Sequence, residues 1–320
     1  MISTKKIIEN IPNALKTVNI SGLGKKTQGK VRDIYISKGK RVFITTDRQS
    51  AFDKVLGYIP FKGQVLTRLS VFWFEKTRDI VANHLISMPD PNVLIVKECK
   101  LIPIEMVVRG YITGVTDTSI WGSYEKGERV IYGIKFPEGL KKNQKLPENV
   151  ITPTTKADFG LHDERLAEKD ILKKKIVDPK IWKQMKKVTL ALFERGQKIC
   201  DKAGIILVDT KYEFGLDDKG KLILIDEMHT PDSSRYWIKK SYKDRLKKGL
   251  EPESYDKETL RIWFKDHGYK GEGKIPKMPL KFIAKMSSLY MEIYEKITGK
   301  KFTPDLTKNV SKRIKDNLMV

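Results

Sequence analysis

The stretch IILVDTKYEFGLDDKGKLILIDEMHTPDSSRYW (205–237) predicts the central element of the fold. It contains two runs, 205–216 and 221–227, that are rich in the β-branched and aromatic residues favoured by strands. Between them stands DDKG (217–220), which is typical of a tight turn. Two such runs joined by so short a turn predict an antiparallel hairpin.

The charged residues inside this hairpin share one face if its turn is four residues long. Such a turn places Glu213 opposite Leu224 and Lys211 opposite Asp226. Because side chains alternate between the two faces of a strand, Asp209, Lys211, Glu213 and Asp226 then point the same way. Glu213 and Asp226 become diagonal neighbours, about 7–8 Å apart at Cα.

Two carboxylates at that distance, with a lysine beside them, fit a site that holds magnesium and phosphate together. The reason is that Mg²⁺ is usually bound by one or two carboxylates and by substrate phosphates. The same charges also fit the solvated outer face of a hairpin. The residues alone leave these two interpretations equally open.

The composition is strongly basic. The 320 residues include 63 Lys and Arg against 40 Asp and Glu, a formal net charge of +23. A charge of this sign suits nucleic acid, an anionic membrane surface or small acidic substrates. The length fits one large or two ordinary domains.

The cysteines and apolar runs narrow the class of protein. Cys99 and Cys200 show no CxxC or Cys/His spacing, so they indicate neither a disulfide framework nor a zinc site. No apolar run approaches the about 18 residues of a membrane span, and residues 1–16 lack the apolar core of a signal peptide. We therefore expect a cytoplasmic protein without a membrane partner.

Basic side chains also stand at the ends of other predicted elements. Gly29 precedes Lys30 and Arg32 at a strand start, which indicates either a phosphate grip or an exposed strand face. Arg109 ends an apolar strand, where it meets either an anion or solvent. A predicted helix near the C-terminus carries two cations four residues apart on one side, again a phosphate clamp or a solvated face. These cations are Lys257 and Arg261.

The remaining segments indicate the fold class. Residues 133–163, with several Pro, Asn and Gln, are predicted to form a long loop. Asp178 and Pro179 predict the start of a helix that Gly204 ends, and apolar spacing over 280–297 predicts a closing helix. Helices combined with antiparallel strand pairs indicate an α+β fold rather than a doubly wound sheet.

A series of motifs extends over most of the chain: GKVRDIY (29–35), TDRQSAFD (46–53), VVRGYITG (107–114), GLKKNQKLPENVITPTTKAD (139–158), HDE (162–164), VDTKYEFG (208–215), IDEMHTPDSSRYW (225–237) and YDKETLR (255–261). In this order they closely resemble the SAICAR synthetases of purine biosynthesis, in the longer form found in yeast. The resemblance implies a SAICAR synthase-like fold with two domains. An antiparallel, β-rich nucleotide-binding domain (1–100) precedes a larger α/β domain (101–320), which contains the hairpin 205–227 and the C-terminal helices. The ATP site is expected in the cleft between them.

The resemblance also implies site residues for an ATP-dependent ligase that joins carboxyaminoimidazole ribonucleotide (CAIR) to L-aspartate. The expected Mg²⁺ ligands are Glu213 and Asp226. Positions that match the family's nucleotide contacts are Gly29, Lys30, Arg32, Lys97, Lys211 and Glu213. Those that match its ribonucleotide contacts are Arg109, Asp209, Arg235, Lys257 and Arg261, and Lys156 and Asp163 match a loop near the acceptor end. Among all of these, the residues expected to be catalytic are Lys211, Asp209 and Arg109.

One local departure concerns a hydroxyl group of the substrate site. Many relatives have a serine directly after the Thr-Gly of the VVRGYITG motif, whereas this chain has Val115. Valine has no hydroxyl group with which to make the contact of that serine. Thr116 or Ser119 is expected to replace it.

The implied chemistry agrees with the residue types. A carboxylate is a poor electrophile, so ATP first converts it to an acyl phosphate, which the aspartate amine attacks. Such a reaction needs positioning and charge neutralisation rather than a protein nucleophile. A basic nucleic-acid-binding protein and a kinase-like phosphotransferase with another acceptor are the alternatives. Since no zinc finger or RNP motif accompanies the charge, we expect small-molecule partners, no nucleic acid, and a monomer or small homo-oligomer.

Overall fold

The computed structural model describes residues 2–37, 39–52, 54–114, 118–156 and 164–318, and it has the expected α+β fold. The helices are α1 (Thr4–Asn10), α2 (Lys62–Thr77), α3 (Ile120–Glu125), α4 (Glu168–Lys173), α5 (Pro179–Lys202), α6 (Lys239–Lys247), α7 (Glu258–Asp266), α8 (Leu280–Thr298) and α9 (Val310–Leu318), with a 3₁₀ turn (Ile11–Asn13) after α1. In the described part of the chain, no helix combines the length and apolar composition of a membrane span. The strands are β1 (Lys25–Gln28), β2 (Arg32–Ser37), β3 (Lys40–Thr45), β4 (Arg48–Ala51), β5 (Lys54–Tyr58), β6 (Leu85–Asp90), β7 (Val93–Lys97), β8 (Lys100–Tyr111), β9 (Val130–Ile131), β10 (Ile134–Lys135), β11 (Lys145–Ile151), β12 (Thr154–Thr155), β13 (Ile205–Leu216), β14 (Leu222–Ile225) and β15 (Ser234–Ile238).

Two antiparallel sheets organise these elements. The first has the strand order β1-β2-β3-β7-β6, and the second has the order β11-β8-β13-β14. In the second sheet β12 also pairs with β8, and β15 pairs with β13. β13 is therefore the strand to which most of the second sheet is attached.

The central hairpin of β13 and β14 forms as predicted, but its register differs by one residue. Glu213 pairs with Ile225, one position beyond the expected partner. The cause is the loop: the Asp217 N–H donates to the Lys221 carbonyl (3.0 Å), so three residues rather than four are unpaired. The last of the three is Gly220, whose φ of 72° suits this type of hairpin loop.

The shifted register removes Asp226 from the hairpin ladder. The prediction that it lies opposite Lys211 in β14 is wrong, because β14 ends at Ile225 and Asp226 has a left-handed φ of 66°. The chain leaves the sheet here and returns at Ser234, where β15 pairs with the first half of β13. The segment between them lies beside the middle of β13, since the Lys211 N–H donates to the Ser233 carbonyl (3.2 Å).

β8 and β13 have an apolar core on one side and charged side chains on the other, and we call this charged side the cleft. Tyr212 and Phe214 of β13 and Met106 of β8 are buried in the main core. Helix α5 covers this side and has the predicted ends: Asp178 accepts hydrogen bonds from its first turn, and Gly204 (φ 73°) follows its last residues. Because side chains alternate along a strand, the intervening residues of β8 and β13 point to the opposite side.

The C-terminal helices pack on elements from the N-terminal part of the chain. Helix α8 packs against α1 and α2. In α9, Arg313 forms a buried ion pair with Asp90 at the end of β6 (2.9 Å). The first sheet uses residues 25–97 and the second uses residues 100–238, and the division into domains at residue 100 stays a prediction.

One local prediction of the sequence is wrong, and one strand contains a proline. β8 runs through Pro103. The ladder between β8 and β13 is irregular between Glu213 and Gly215, and a bulge tolerates a residue without an N–H. The expected loop 133–163 contains β10, β11 and β12 in its described part, and β11 pairs with β8.

Candidate active site

A row of charged side chains lines the cleft side of β8 and β13. In the ladder, Asp209 pairs with Arg109 and Glu213 pairs with Glu105. Lys211 lies between these two pairs. The other four residues are buried, whereas 34% of the Lys211 side chain is exposed. Strand alternation thus brings Asp209, Lys211 and Glu213 to one face, as the sequence predicts.

Two lysines compensate the pair of opposed carboxylates. The Lys211 ammonium donates to Glu105 (2.5 Å) and to Glu213 (3.4 Å), and Lys156 pairs with the other oxygen of Glu213. Like charges directly opposite each other destabilise a sheet, so these ammonium groups are needed. Burial lowers the pKa of Lys211, but Glu105, Glu213 and Asp226 together hold that pKa well above its ordinary value.

Arg32 joins the first sheet to the segment that follows β14. It is the first residue of β2, and its guanidinium donates one N–H to Asp226 and another to Glu227 Oε2 (2.5 Å). Burial would raise the pKa of Asp226, but Arg32, Lys156 and Lys211 lower that pKa to about 2. Burial raises the pKa of Glu227, although Arg32 opposes this. Asp226 therefore carries a full negative charge next to Lys211 at neutral pH.

Asp209 is shared by two arginines. Its Oδ2 atom lies 2.5 Å from Arg235 Nη1 and 3.4 Å from Arg109 Nη1. Arg109 also donates to the Thr152 hydroxyl (2.8 Å) and to the Thr118 carbonyl (3.0 Å). One carboxylate with two guanidinium groups leaves a surplus of one positive charge. This group therefore suits an anion such as a phosphate or a carboxylate.

A third group of charges lies at the start of α7. Lys257 directly precedes the helix, and Arg261 pairs with Glu258 (3.0 Å). Burial lowers the pKa of Lys257 to about 8; Asp232 opposes this effect, while Arg261 adds to it. The Lys257 side chain is nevertheless only partly buried. A cation with positive neighbours and access to the cleft suits the binding of an anion.

The carboxylates fit a magnesium ion that is shared with a ligand. Within the described ranges, no three His, Cys, Asp or Glu side chains are placed to hold a metal ion. Glu213 and Asp226 nevertheless offer two carboxylates, and both act on the same Lys211 ammonium. Magnesium is commonly held by one or two carboxylates, with phosphates and water as its other ligands. These two residues therefore fit Mg²⁺ when phosphates complete its coordination.

Gly29 and Lys30 form the turn between β1 and β2, next to Arg32. Arg48 donates to the carbonyls of Gly29 (3.0 Å) and Lys30 (3.2 Å). Those carbonyls therefore point towards the buried guanidinium of Arg48. The prediction that this turn contacts phosphate stays a prediction, and its position beside Arg32 is compatible with it.

The remaining predicted site residues are Lys97, Asp163 and the hydroxyl expected to replace the family's serine. Lys97 is exposed at the end of β7, and its carbonyl accepts the Cys99 thiol (3.7 Å). Asp163, Val115 and Thr116 lie outside the described residues. The alternative hydroxyl, that of Ser119, is buried and accepts the Gly122 N–H (3.2 Å) as the cap of α3.

The sequence patterns did not identify several residues that lie in the cleft. Glu105 stands four residues before Arg109 on an alternating strand, so the two-residue period could have identified it. Glu227 and Asp232 lie inside the motif IDEMHTPDSSRYW (225–237), but nothing in their spacing distinguishes them. Lys62 has no signal at all, because a lysine at the start of a helix is ordinarily exposed.

A cavity of about 580 Å³ lies elsewhere, between the end of β8, β11 and the junction of α5 with β13. Its lining includes Tyr111, Lys145, Asn149, Gln197 and Lys202. None of the predicted site residues lines this cavity. The chemistry of the side chains, rather than the size of a hollow, therefore identifies the candidate active site.

The chain is similar to known proteins over most of its length. Residues 25–278 match the family model described as SAICAR synthetase. The phosphoribosylaminoimidazole-succinocarboxamide synthase of Legionella pneumophila (strain Paris) is 51% identical over 284 residues, which cover 88% of this chain and 90% of that protein. Sequence similarity therefore includes the whole of the charged cleft.

Two solved structures have a similar fold. The first is described as SAICAR-synthase from Saccharomyces cerevisiae complexed SAICAR; it has a TM-score of 0.79 and 34% identity, and the match covers 91% of this chain and 100% of that chain. The second is described as SAICAR synthetase (Type-2) in complex with ADP; its TM-score is 0.67 and its identity 27%, with 88% and 100% covered.

Proposed function

Because this chain belongs to the SAICAR synthetase family, we propose that its charged cleft joins the carboxylate of CAIR to the amine of L-aspartate, using ATP. The products are SAICAR, ADP and phosphate, and the reaction is a step of purine biosynthesis. One observation carries the assignment to this cleft. Lys211 stands among three carboxylates, with Lys156 and Arg32 paired to the same carboxylates.

The nucleotide lies on the side of Arg32. Gly29 and Lys30 form the turn next to it, and Lys97 ends another strand of the same sheet. The relative that was solved in complex with ADP supports the use of ATP. Lys211 would meet the phosphates, since 34% of its side chain is exposed whereas the other residues of the row are buried.

Glu213 and Asp226 would hold Mg²⁺ against those phosphates. The bound ion would neutralise negative charge on the phosphate oxygens. Lys156 and Arg32 compensate the two carboxylates and keep them in place. This assignment is supported by the donor atoms and by the low pKa of Asp226.

The ribonucleotide lies on the side of Asp209. Arg109 and Arg235 both donate to this carboxylate, and Lys257 and Arg261 add positive charge at the start of α7. Arginine suits phosphate because its guanidinium donates two parallel hydrogen bonds. The yeast relative solved with SAICAR supports a ligand of this class. We assign Lys156 and Asp163 to the binding of aspartate, because they match the family's loop near the acceptor end of the site.

The reaction proceeds in two steps. A carboxylate oxygen of CAIR attacks the γ-phosphorus of ATP, which gives ADP and an acyl phosphate. The aspartate amine then attacks the acyl carbon: a C–N bond forms, the C–O bond to phosphate breaks, and the nitrogen loses a proton. Lys211 and Arg32 offset the charge that moves between the phosphates, while Arg109 and Asp209 hold the ribonucleotide in line.

A coupled assay of ADP release tests the proposal. We expect ADP and an amide of the mass of SAICAR when ATP, magnesium, CAIR and L-aspartate are all present. No amide is expected in a parallel reaction without aspartate. Steady ADP release without aspartate, and with no amide in either tube, would instead indicate a phosphotransferase with another acceptor.

The basic composition is tested separately. Binding to DNA at about 150 mM salt, with a steep dependence on salt concentration, would favour the nucleic-acid alternative. We propose small acidic substrates instead. The carboxylates of the cleft repel phosphate unless a metal ion intervenes, and Glu213 and Asp226 fit an Mg²⁺ that is shared with the phosphates of ATP. We also propose a cytoplasmic location, consistent with the two free cysteines, a monomer or small homo-oligomer, and a domain division near residue 100.

A further inference from the structure

Lys62 is a lysine with none of its surface exposed (0%). It is the first residue of α2, and its ammonium donates to Asp232 Oδ2 (2.7 Å) and to the Arg48 carbonyl of β4 (2.9 Å). Lysine is almost never fully buried unless it is paired. The side chain therefore connects α2 and β4 to the segment between β14 and β15.

The other oxygen of Asp232 is held from α8. The Tyr290 hydroxyl donates to Asp232 Oδ1 (2.6 Å), and it lies 3.1 Å from Gln49 Oε1 of β4. Tyr290 is also fully buried. Both oxygens of one carboxylate are thus fixed by side chains from two helices.

Asp232 occupies the turn that lies against the middle of β13. The Ser233 N–H donates to the Thr230 carbonyl (3.1 Å), and the Ser233 carbonyl accepts the Lys211 N–H (3.2 Å). Arg235 stands three residues after Asp232 and pairs with Asp209 of β13. A displacement of Asp232 would therefore move groups that lie beside both Lys211 and Asp209.

Asp232 also acts on the cation at the start of α7. Among the charges near Lys257, that of Asp232 raises its pKa most, whereas those of Arg261 and Lys62 lower it. Lys62 and Lys257 therefore share the negative charge of one carboxylate. Because Asp232 forms its direct ion pair with Lys62, it neutralises the charge of Lys257 only in part. The ammonium of Lys257 can therefore bind an anionic ligand.

We infer that Lys62 and Tyr290 are positioning residues for the ribonucleotide: they fix Asp232, and through it the segment 230–235, in the cleft. The inference rests on the proposed function, which places the ribonucleotide beside Arg235 and Lys257. Stability alone does not account for the arrangement. Apolar residues of similar volume often replace a buried ion pair with no loss of stability.

Steady-state kinetics of Lys62→Met and Tyr290→Phe test the inference. For Lys62→Met we expect the KM for CAIR to rise about tenfold or more, as for loss of a hydrogen bond to a charged group. Tyr290→Phe removes a hydroxyl only, so a rise of about threefold is expected. In both variants the KM for ATP should stay within about twofold of the wild type.

Arg313→Met is the matched control, because it removes a buried ion pair, with Asp90, that lies between α9 and β6. Its Tm should fall while both KM values stay unchanged. The inference is overturned if both test variants keep the wild-type KM for CAIR, or if the KM values for CAIR and ATP rise together. If Lys62→Met does not fold, Tyr290→Phe decides by the same criterion.

The wild-type chain separates this inference from the proposed function. Wild type that forms no amide from CAIR, ATP and aspartate overturns both. Active wild type with unchanged CAIR kinetics in both variants overturns the positioning role alone. A selective rise in the KM for CAIR supports it.

Discussion

Replacing Asp226 by Asn tests the centre of the proposed site. Asparagine has the shape of a protonated carboxyl group, so this variant corresponds to Asp226 held in its neutral form. The surroundings lower the pKa of Asp226 from 3.8 to about 2. A shift of this size corresponds to about 2 kcal/mol of favourable interaction with the charged form. We therefore expect the free energy of unfolding to fall by about 2 kcal/mol at neutral pH.

The effect of pH on this difference has a definite sign. Because the folded pKa of Asp226 is depressed, its contribution is complete above the unfolded pKa of 3.8. It is lost as the pH falls through the folded value of about 2. Urea unfolding of wild type and Asp226→Asn, in EDTA to exclude metal ions, should give stability curves that converge between pH 4 and pH 2.

A matched control separates this effect from the loss of any surface charge. Asp79 pairs with Arg195 (2.8 Å), but its side chain is 60% exposed. Exposed ion pairs contribute little because water and salt screen them. Asp79→Asn should therefore change stability much less than Asp226→Asn. Equal losses in the two variants would refute the claim that the surroundings of Asp226 are special.

Activity should respond to the same substitution through magnesium. We expect Asp226→Asn to lower the rate of ADP release by about a hundredfold, the size of effect seen when one electrostatic contact is removed. Raised magnesium should restore part of that loss by mass action. A variant with a wild-type rate and an unchanged dependence on magnesium concentration would refute the assignment of Asp226 to the metal.

Other substitutions give further tests. Glu213→Gln should shift the magnesium dependence in the same direction as Asp226→Asn, measured in the same assay. Lys257→Ala and Arg261→Ala should raise the KM for CAIR by about tenfold and that for ATP much less; equal changes would exclude a role specific to the ribonucleotide. Because the pKa of Lys257 is about 8, CAIR affinity should weaken above pH 8, and Lys257→Arg should remove this limb of the pH profile. Arg109→Lys should keep the charge but lose the bidentate donor, so its kcat/KM for CAIR should fall by about tenfold or more; activity close to wild type would place Arg109 outside the site.

The sequence predicted the row of charges on β13 correctly because that prediction needs only strand alternation. Asp209, Lys211 and Glu213 are two residues apart and no turn lies between them. Asp226 was harder, since its position depends on the length of the hairpin loop. One residue fewer in that loop shifts the whole register. Asp226 lies beyond the end of β14 and has a left-handed backbone, yet its charge still acts on Lys211. Strand alternation does not predict this arrangement.

Residues that arrive from distant elements were not predictable from local patterns. Arg32 reaches Asp226 across 194 positions of the sequence, and Lys62 reaches Asp232 across 170. Such contacts follow from the packing of α2 and the first sheet against the second. The local pattern after Gly29 and the family resemblance both pointed to Arg32, although not to its pairing with Asp226. No motif or period pointed to Lys62. A single sequence does not show which lysine will be buried.

The way in which the charges are shared explains how the cleft can be both stable and receptive. Glu213 has two cationic partners, Lys156 and Lys211, while Lys211 itself is divided between Glu213 and Glu105. Arg32 is likewise divided between two carboxylates. Removing one partner from an isolated buried pair costs about 3–5 kcal/mol, because a bare charge remains. Here an incoming phosphate can take a contact of the Lys211 ammonium while Glu213 keeps its pairing with Lys156. Glu213 therefore stays paired with a cation when the phosphate binds, and the phosphate is itself paired with Lys211.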